Sequence, residues 1–324
     1  MNQRFSAPTQ APALRPGDRV HIVSPAGPVV PELLERGIDR LRQWDLEVIV
    51  DDAVYQRRPP FDYLAGDDQT RLNALLNAWS DPDCRAIICS RGGYGTMRLL
   101  PDIELETLIS QPRLLVGFSD ITALHLYIAG VGGLATVHGP VVKSLARHDD
   151  DPHRSVDRLH EALFATTERP EPWTGLRTIL PGRASGPVLG GNLSLLVALL
   201  ATPYAPCLDG AILIVEDVGE DDYRVDRLLT ALRLAHNTAI SGLVLGDFSD
   251  CDGVYVASEQ LDAFLTKLGA EFDCPVVANA PIGHGGRNVP FPVGVRAELD
   301  ADEGTVSFCH HAATPSANDH TDGV

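Results

Sequence analysis

Between Arg19 and Gly130 short β-branched runs interleave with longer amphipathic stretches, and no other feature narrows the fold as far. RVHIVSP, LEVIVDD, RAIICS and LLVGFS have the character of strands, whereas PELLERGIDRLRQW, QTRLNALLNAWSD and ITALHLYIAG have the spacing of helices with one apolar face. Such interleaving builds βαβ units, because parallel strands need a crossover that is usually a helix packed on the sheet. The pattern holds to about Lys143 and predicts a mostly parallel sheet with helices on both faces.

From His148 to about Gly186 the periodicity decays through DDDPHRS, an amphipathic VDRLHEALF and the Pro-, Thr- and Arg-rich TTERPEPWTGLRTILPGR. Polar, Pro-containing segments of this kind are where domain boundaries fall. A second set of elements follows, with LSLLVALLAT, DRLLTALRLA and SEQLDAFLTKL as helices and AILIVED, GLVLGDF, PVVANAP and VRAELD as strands. The chain of 324 residues also exceeds the roughly 250 to 300 that a single core fills. The sequence therefore predicts an α/β protein in two parts: an N-terminal domain over 1–165, a linker over 166–185, a smaller α/β domain over 186–312 and a flexible tail over 313–324. No internal period suggests a repeat architecture.

Forty-four acidic residues against 26 basic ones give a formal charge of −18, which argues against nucleic acid or an anionic membrane as partner. Cys84, Cys89, Cys207, Cys251, Cys274 and Cys309 are scattered without the close spacing of a zinc site or a disulfide scaffold, and read as reduced and mostly buried. No metal or cofactor is expected. The N-terminal MNQRFSAPTQAPALRPGDRV has no apolar run of signal-peptide length and no segment approaches the length of a membrane span, so a cytoplasmic location is expected.

In open parallel sheets, ligands bind beyond the carboxyl ends of the strands. Three segments lie there: SRGGYG at 90–95, GFSD at 117–120 and VEDVGED at 215–221. Ser119 stands where an apolar strand turns into a helix, a position that suits a nucleophile and equally suits a helix cap. Two positions on is Ile121 rather than Gly, a departure from the G-x-S-x-G elbow. Gly92 and Gly93 allow the backbone close to a bound group, as an oxyanion hole, a phosphate cradle or a plain turn. Arg91 beside them either holds a substrate carboxylate or braces the loop. Glu216, straight after an apolar strand, should be buried and need a partner. His284 lies in a Gly-rich loop, PIGHGGRNVPF, where no periodicity would place a core histidine. Serine, acid and histidine at strand ends are the parts of a base-activated hydroxyl.

SRGGYGTMRLLP, GFSDITAL, GGNLSLL, VEDVGE and GHGGRN, in this order within a match from about Pro16 to Asp300, resemble the LD-carboxypeptidase family of serine peptidases, which also contains the microcin C immunity hydrolases. The resemblance implies an active site between the two domains, with Ser119 as nucleophile, Glu216 as acid and His284 as base. It implies oxyanion donors at the backbone N–H of Gly93, or its neighbour Gly92, and of Asp120. It further implies a metal-independent homodimer acting on a small peptide, the murein tetrapeptide, from which terminal D-Ala is released in cell-wall recycling. A microcin-type hydrolase of aminoacyl nucleotides is the alternative within the family, with Trp173 as the aromatic that would stack a base. Outside the family stand a nucleotide-binding module without hydrolysis, and a glutaminase using Cys89 or Cys84.

Overall fold

The computed structural model describes residues 7–146, 154–236, 239–252 and 256–315. The DDDPHRS stretch and the tail from 316 onward lie mostly or wholly outside them.

Two sheets form the scaffold. The first has six strands in the order Phe291–Val293, Thr136–His138, Leu114–Gly117, Cys84–Cys89, Arg19–Val23, Glu47–Val50, parallel except for Phe291–Val293 at one edge. The strands at its centre are buried on both faces, which is why AIIC and LLVG are continuous apolar runs rather than alternating ones. Helices Pro31–Gln43 and Asp68–Ser80 are two of the crossovers, and the side chain of Asp67 caps the second by accepting from the Thr70 N–H. Arg19–Val23 and Cys84–Cys89 are neighbours although a whole βα unit separates them in sequence. Their ends form the switch point where a doubly wound sheet opens a crevice.

The second sheet has seven strands in the order Thr305–Phe308, Arg296–Asp300, Arg183–Asn192, Ile212–Val218, Gly242–Ser249, Val276–Ala278, Arg177–Leu180. Its four central strands, Arg183–Asn192 to Val276–Ala278, are parallel and the outer ones antiparallel. By strand count this second unit is not the smaller one.

Three boundaries differ from those expected of the sequence. The 166–185 stretch holds the edge strand Arg177–Leu180 and the start of Arg183–Asn192, so only its first part is linker. Ala313–Thr314, counted with the tail, pairs in parallel with Ala11–Pro12 and ties the two ends of the chain together. Phe291–Val293, counted with the second domain, completes the first sheet. The stretch read as one helix, ITALHLYIAG, is a single α-turn, Thr122–His125, that widens into a π-helix over Leu126–Val131. Among the cysteines Cys84, Cys89, Cys251 and Cys274 are buried and Cys207 and Cys309 exposed, all as free thiols.

Candidate active site

Strand Leu114–Gly117 ends in Phe118 and a 3-10 turn, Ser119–Ile121, that leads directly into Thr122–His125. Ser119 holds this elbow with φ of 64°. A residue with a side chain adopts that left-handed conformation at a cost of about 1–2 kcal/mol, and such strain gathers at functional sites. Phe118, not Ser119, occupies the cap position, and no side chain caps the turn. Capping therefore does not account for the serine hydroxyl.

The glycine loop lies against it. A Cβ placed on Gly92 would stand 2.7 Å from the Ser119 Cβ and 3.0 Å from its Oγ, so glycine is what lets the loop approach the hydroxyl. Gly93 has φ of 125°, a conformation open to glycine alone, and its N–H has no acceptor among the described residues. The Asp120 side chain is buried and accepts the Thr96 N–H at 2.8 Å, while the Thr96 hydroxyl donates to the Asp120 carbonyl at 2.5 Å. This pair clamps the far end of the glycine loop to the serine turn. Burial raises the Asp120 carboxyl, and the Thr96 bonds oppose the rise.

Across the cleft, Glu216 in strand Ile212–Val218 has no exposed surface, and its Oε2 lies 2.7 Å from His284 Nδ1. Burial pushes the Glu216 carboxyl up, and the imidazole at hydrogen-bond distance pulls it back. Nδ1 must carry the proton to donate to this acceptor, which leaves Nε2 with a lone pair for a neighbouring hydroxyl. The His284 ring is partly exposed and sits 4.9 Å, centroid to centroid, from Phe118, the residue before the serine. The residue just before Ser119 in the first sheet's loop thus packs on the imidazole that Glu216 holds in the second.

Several supporting residues were not among those singled out in the sequence. Asn192 donates from Nδ2 to Asp217 at 2.8 Å and lies 3.5 Å from Glu216 Oε1, while its N–H donates to the Thr122 hydroxyl at 2.9 Å. It therefore joins the acid strand to the helix that follows Ser119. Asp247 Oδ2 accepts from the Gly285 N–H at 3.0 Å and the Ser249 hydroxyl at 2.6 Å, anchoring the loop that carries His284. Arg71 is fully buried and holds the carbonyls of Pro25 and Gly95, so one guanidinium ties both loops at the switch point. Within the serine strand's own support, His125 spans the Gly117 carbonyl at 2.9 Å and the Thr136 hydroxyl at 2.8 Å. Asn192 falls inside GGNLSLL and could have been singled out as a polar residue ending an apolar strand. The others look like ordinary helix and loop residues.

Arg91 donates from Nη1 to the Pro28 carbonyl at 3.0 Å and so braces the neighbouring loop. Trp173 is buried against Phe291 and Phe308, with ring centroids at 5.9 and 5.1 Å, and presents no face on which a nucleobase could stack. Cys84 and Cys89 are both buried. Burial pushes the Cys84 thiol up to about 12 and the Cys89 thiol also upward, the opposite of what a thiolate nucleophile needs. Among the described residues no group of three or more His, Cys, Asp or Glu side chains is placed to hold a metal ion.

Two family models match the chain: the LD-carboxypeptidase N-terminal domain over residues 20–139 and the LD-carboxypeptidase C-terminal domain over 185–299. The chain belongs to the LD-carboxypeptidase family, a family of peptidases, and has its two-domain α/β fold. A Synechocystis protein named a putative carboxypeptidase is 42% identical over 303 residues, covering 91% of this chain and 95% of that one. The murein tetrapeptide carboxypeptidase of Pseudomonas aeruginosa is 33% identical over 312 residues, covering 92% and 98%. Among solved structures, MccF in complex with glutamyl sulfamoyl guanosine superposes with a TM-score of 0.84 over 95% of this chain and 100% of that one, at 21% identity. At that identity the likeness shows the fold alone. No described helix is long and apolar enough to cross a membrane.

Proposed function

We propose that the protein is a serine-type LD-carboxypeptidase that releases a C-terminal D-amino acid, D-Ala, from murein tetrapeptide. The observation that carries this reading is the buried Glu216 carboxylate 2.7 Å from His284 Nδ1, with the imidazole packed on Phe118 and the next residue, Ser119, held in a left-handed elbow beside an approaching glycine loop. The murein tetrapeptide carboxypeptidase among the relatives supports the substrate.

In this mechanism His284 Nε2 takes the Ser119 proton as Oγ attacks the scissile carbonyl, and Glu216 steadies the imidazolium that forms. The N–H groups of Gly93 and Asp120 stabilise the oxyanion; preorganised donors of this kind are each worth about 3–4 kcal/mol of barrier. His284 then passes its proton to the departing amine, and water resolves the acyl-enzyme by the same route in reverse. Hydrolysis of an aminoacyl nucleotide is the second reading, favoured by the fold shared with MccF. The burial of Trp173 removes the aromatic platform considered for it.

The test is release of D-Ala from murein tetrapeptide by the purified chain, beside an aminoacyl sulfamoyl nucleoside. Wild type should turn over the peptide, and Ser119→Ala should lower kcat by on the order of 10⁴ to 10⁶ while the protein stays folded. Turnover of the nucleoside alone would select the second reading, and an active Ser119→Ala protein would refute both.

A further inference from the structure

In the mechanism proposed above, the leaving nitrogen collects its proton from His284. The departing amino acid must then lie on the imidazole side of Ser119, away from the amide donors of the glycine loop. On that side a cavity of about 90 Å³ is lined by His284, Phe118, Pro140, Lys143, Ser144 and Asn288, among others. We propose that this cavity is the subsite of the leaving amino acid, with Lys143 reading its free carboxylate and the Asn288 amide bonding beside it. The assignment rests on the carboxypeptidase reading and adds to it the residues that make the enzyme an exopeptidase.

That volume gives room for one small amino acid. Phe118 and Pro140 give an apolar wall for a methyl-sized side chain. Lys143, on the short helix Val142–Leu145, brings a cation to this wall in a chain whose formal charge is −18. Its backbone is fixed by donation from the Lys143 N–H to the Ser90 carbonyl at 3.0 Å, which places it next to the strand end that carries the glycine loop. Asn288 is only 9% exposed, yet neither its Oδ1 nor its Nδ2 has a partner among the described residues. Its N–H is held by the Ser155 hydroxyl at 3.2 Å, so the side chain is presented from a fixed backbone. A buried amide with both ends unmade is costly, and a ligand that is both donor and acceptor would satisfy it. An α-amino acid with a free carboxylate is such a ligand. Arg91, by contrast, stands with Gly92 on the oxyanion side, with Nη1 committed to the Pro28 carbonyl.

The test compares tetrapeptide with a free and with an amidated C-terminus. Lys143→Gln should lower the ratio of kcat/KM for the free peptide over the amidated one by about ten- to hundredfold, the effect of one charged hydrogen bond. Lys143→Arg should keep most of the ratio. An unchanged ratio in Lys143→Gln overturns the proposal. A second measurement does not depend on the peptide: labelling of Ser119 by a fluorophosphonate, with D-alanine or D-alaninamide as protectant and each variant referred to its own unprotected rate. D-Alanine should protect wild type more strongly than D-alaninamide, and Lys143→Gln should abolish that difference. Equal protection by the two in wild type overturns the subsite even if the mutant does not fold. If D-alanine protects as expected but the tetrapeptide is not cleaved, the carboxypeptidase reading fails and the subsite stands.

Discussion

Acidification tests how the strand that carries Ser119 is held. His125 is fully buried behind that strand and makes two bonds, one to the Gly117 carbonyl and one to the Thr136 hydroxyl. A carbonyl can only accept, so Nε2 bears the proton and Nδ1 accepts from Thr136, and the neutral ring is fully satisfied. Burial pushes its pKa down to about 4. In the unfolded chain an ordinary histidine titrates near 6.5, so between these values the unfolded state binds more protons and stability falls as pH falls. The contribution is intact above about pH 6.5, and its loss reaches about 3 kcal/mol near pH 4, about 2 kcal/mol of it by pH 5. Buried His138, held well below the ordinary value by burial, acts in the same direction, and the raised carboxyls of Asp120 and Glu216 titrate as well. Comparing wild type with His125→Gln removes these shared contributions, apart from the coupling of His125 to His138 at 6.2 Å. Urea unfolding at pH 7 and pH 5 should show wild type losing about 2 kcal/mol more than His125→Gln. Equal losses in the two proteins would refute the claim that a neutral His125 is locked behind the strand that leads to Ser119.

Two further outcomes follow from the glycine loop. Gly92→Ala, whose new Cβ would meet the Ser119 Cβ at 2.7 Å, should lower kcat by on the order of 100-fold through misplacement of the hydroxyl, with little change in unfolding midpoint; full activity would show that the loop yields. Arg91→Lys should lower kcat/KM equally for free and amidated peptides, because its bond to Pro28 marks it as a brace; a loss confined to the free peptide would return the carboxylate to Arg91.

The strand ends were legible because each follows an unbroken apolar run. AIIC, LLVG and ILIV announce buried parallel strands, and a polar residue just past such a run, as with Ser119 and Glu216, has to sit at the sheet's edge. The choice between cap and nucleophile for Ser119 was not legible, since both favour serine at a helix start, and it takes the cap position at Phe118 and the φ of 64° at Ser119 to set the plain cap aside. Arg71 and His125 were invisible for another reason. Each lies on an amphipathic stretch where a polar residue normally faces water, and its burial depends on loops brought close by strands distant in sequence.

The placement of Phe291–Val293 shows what such long-range pairing does for the site. Three residues carry no periodicity, and their antiparallel partner Thr136–His138 lies more than 150 positions away, so nothing local assigns them to the first sheet. Yet the assignment determines the geometry of the cleft. Val276–Ala278 belongs to the second sheet and Phe291–Val293 to the first, so the segment between them, which carries His284, is tethered at both ends to different sheets. Asp247 pins it midway through the Gly285 N–H, and Glu216 fixes the imidazole itself. Motion of one sheet against the other would have to strain this segment. The crossing therefore sets the position of His284, from one half of the chain, against the loop that carries Ser119, from the other.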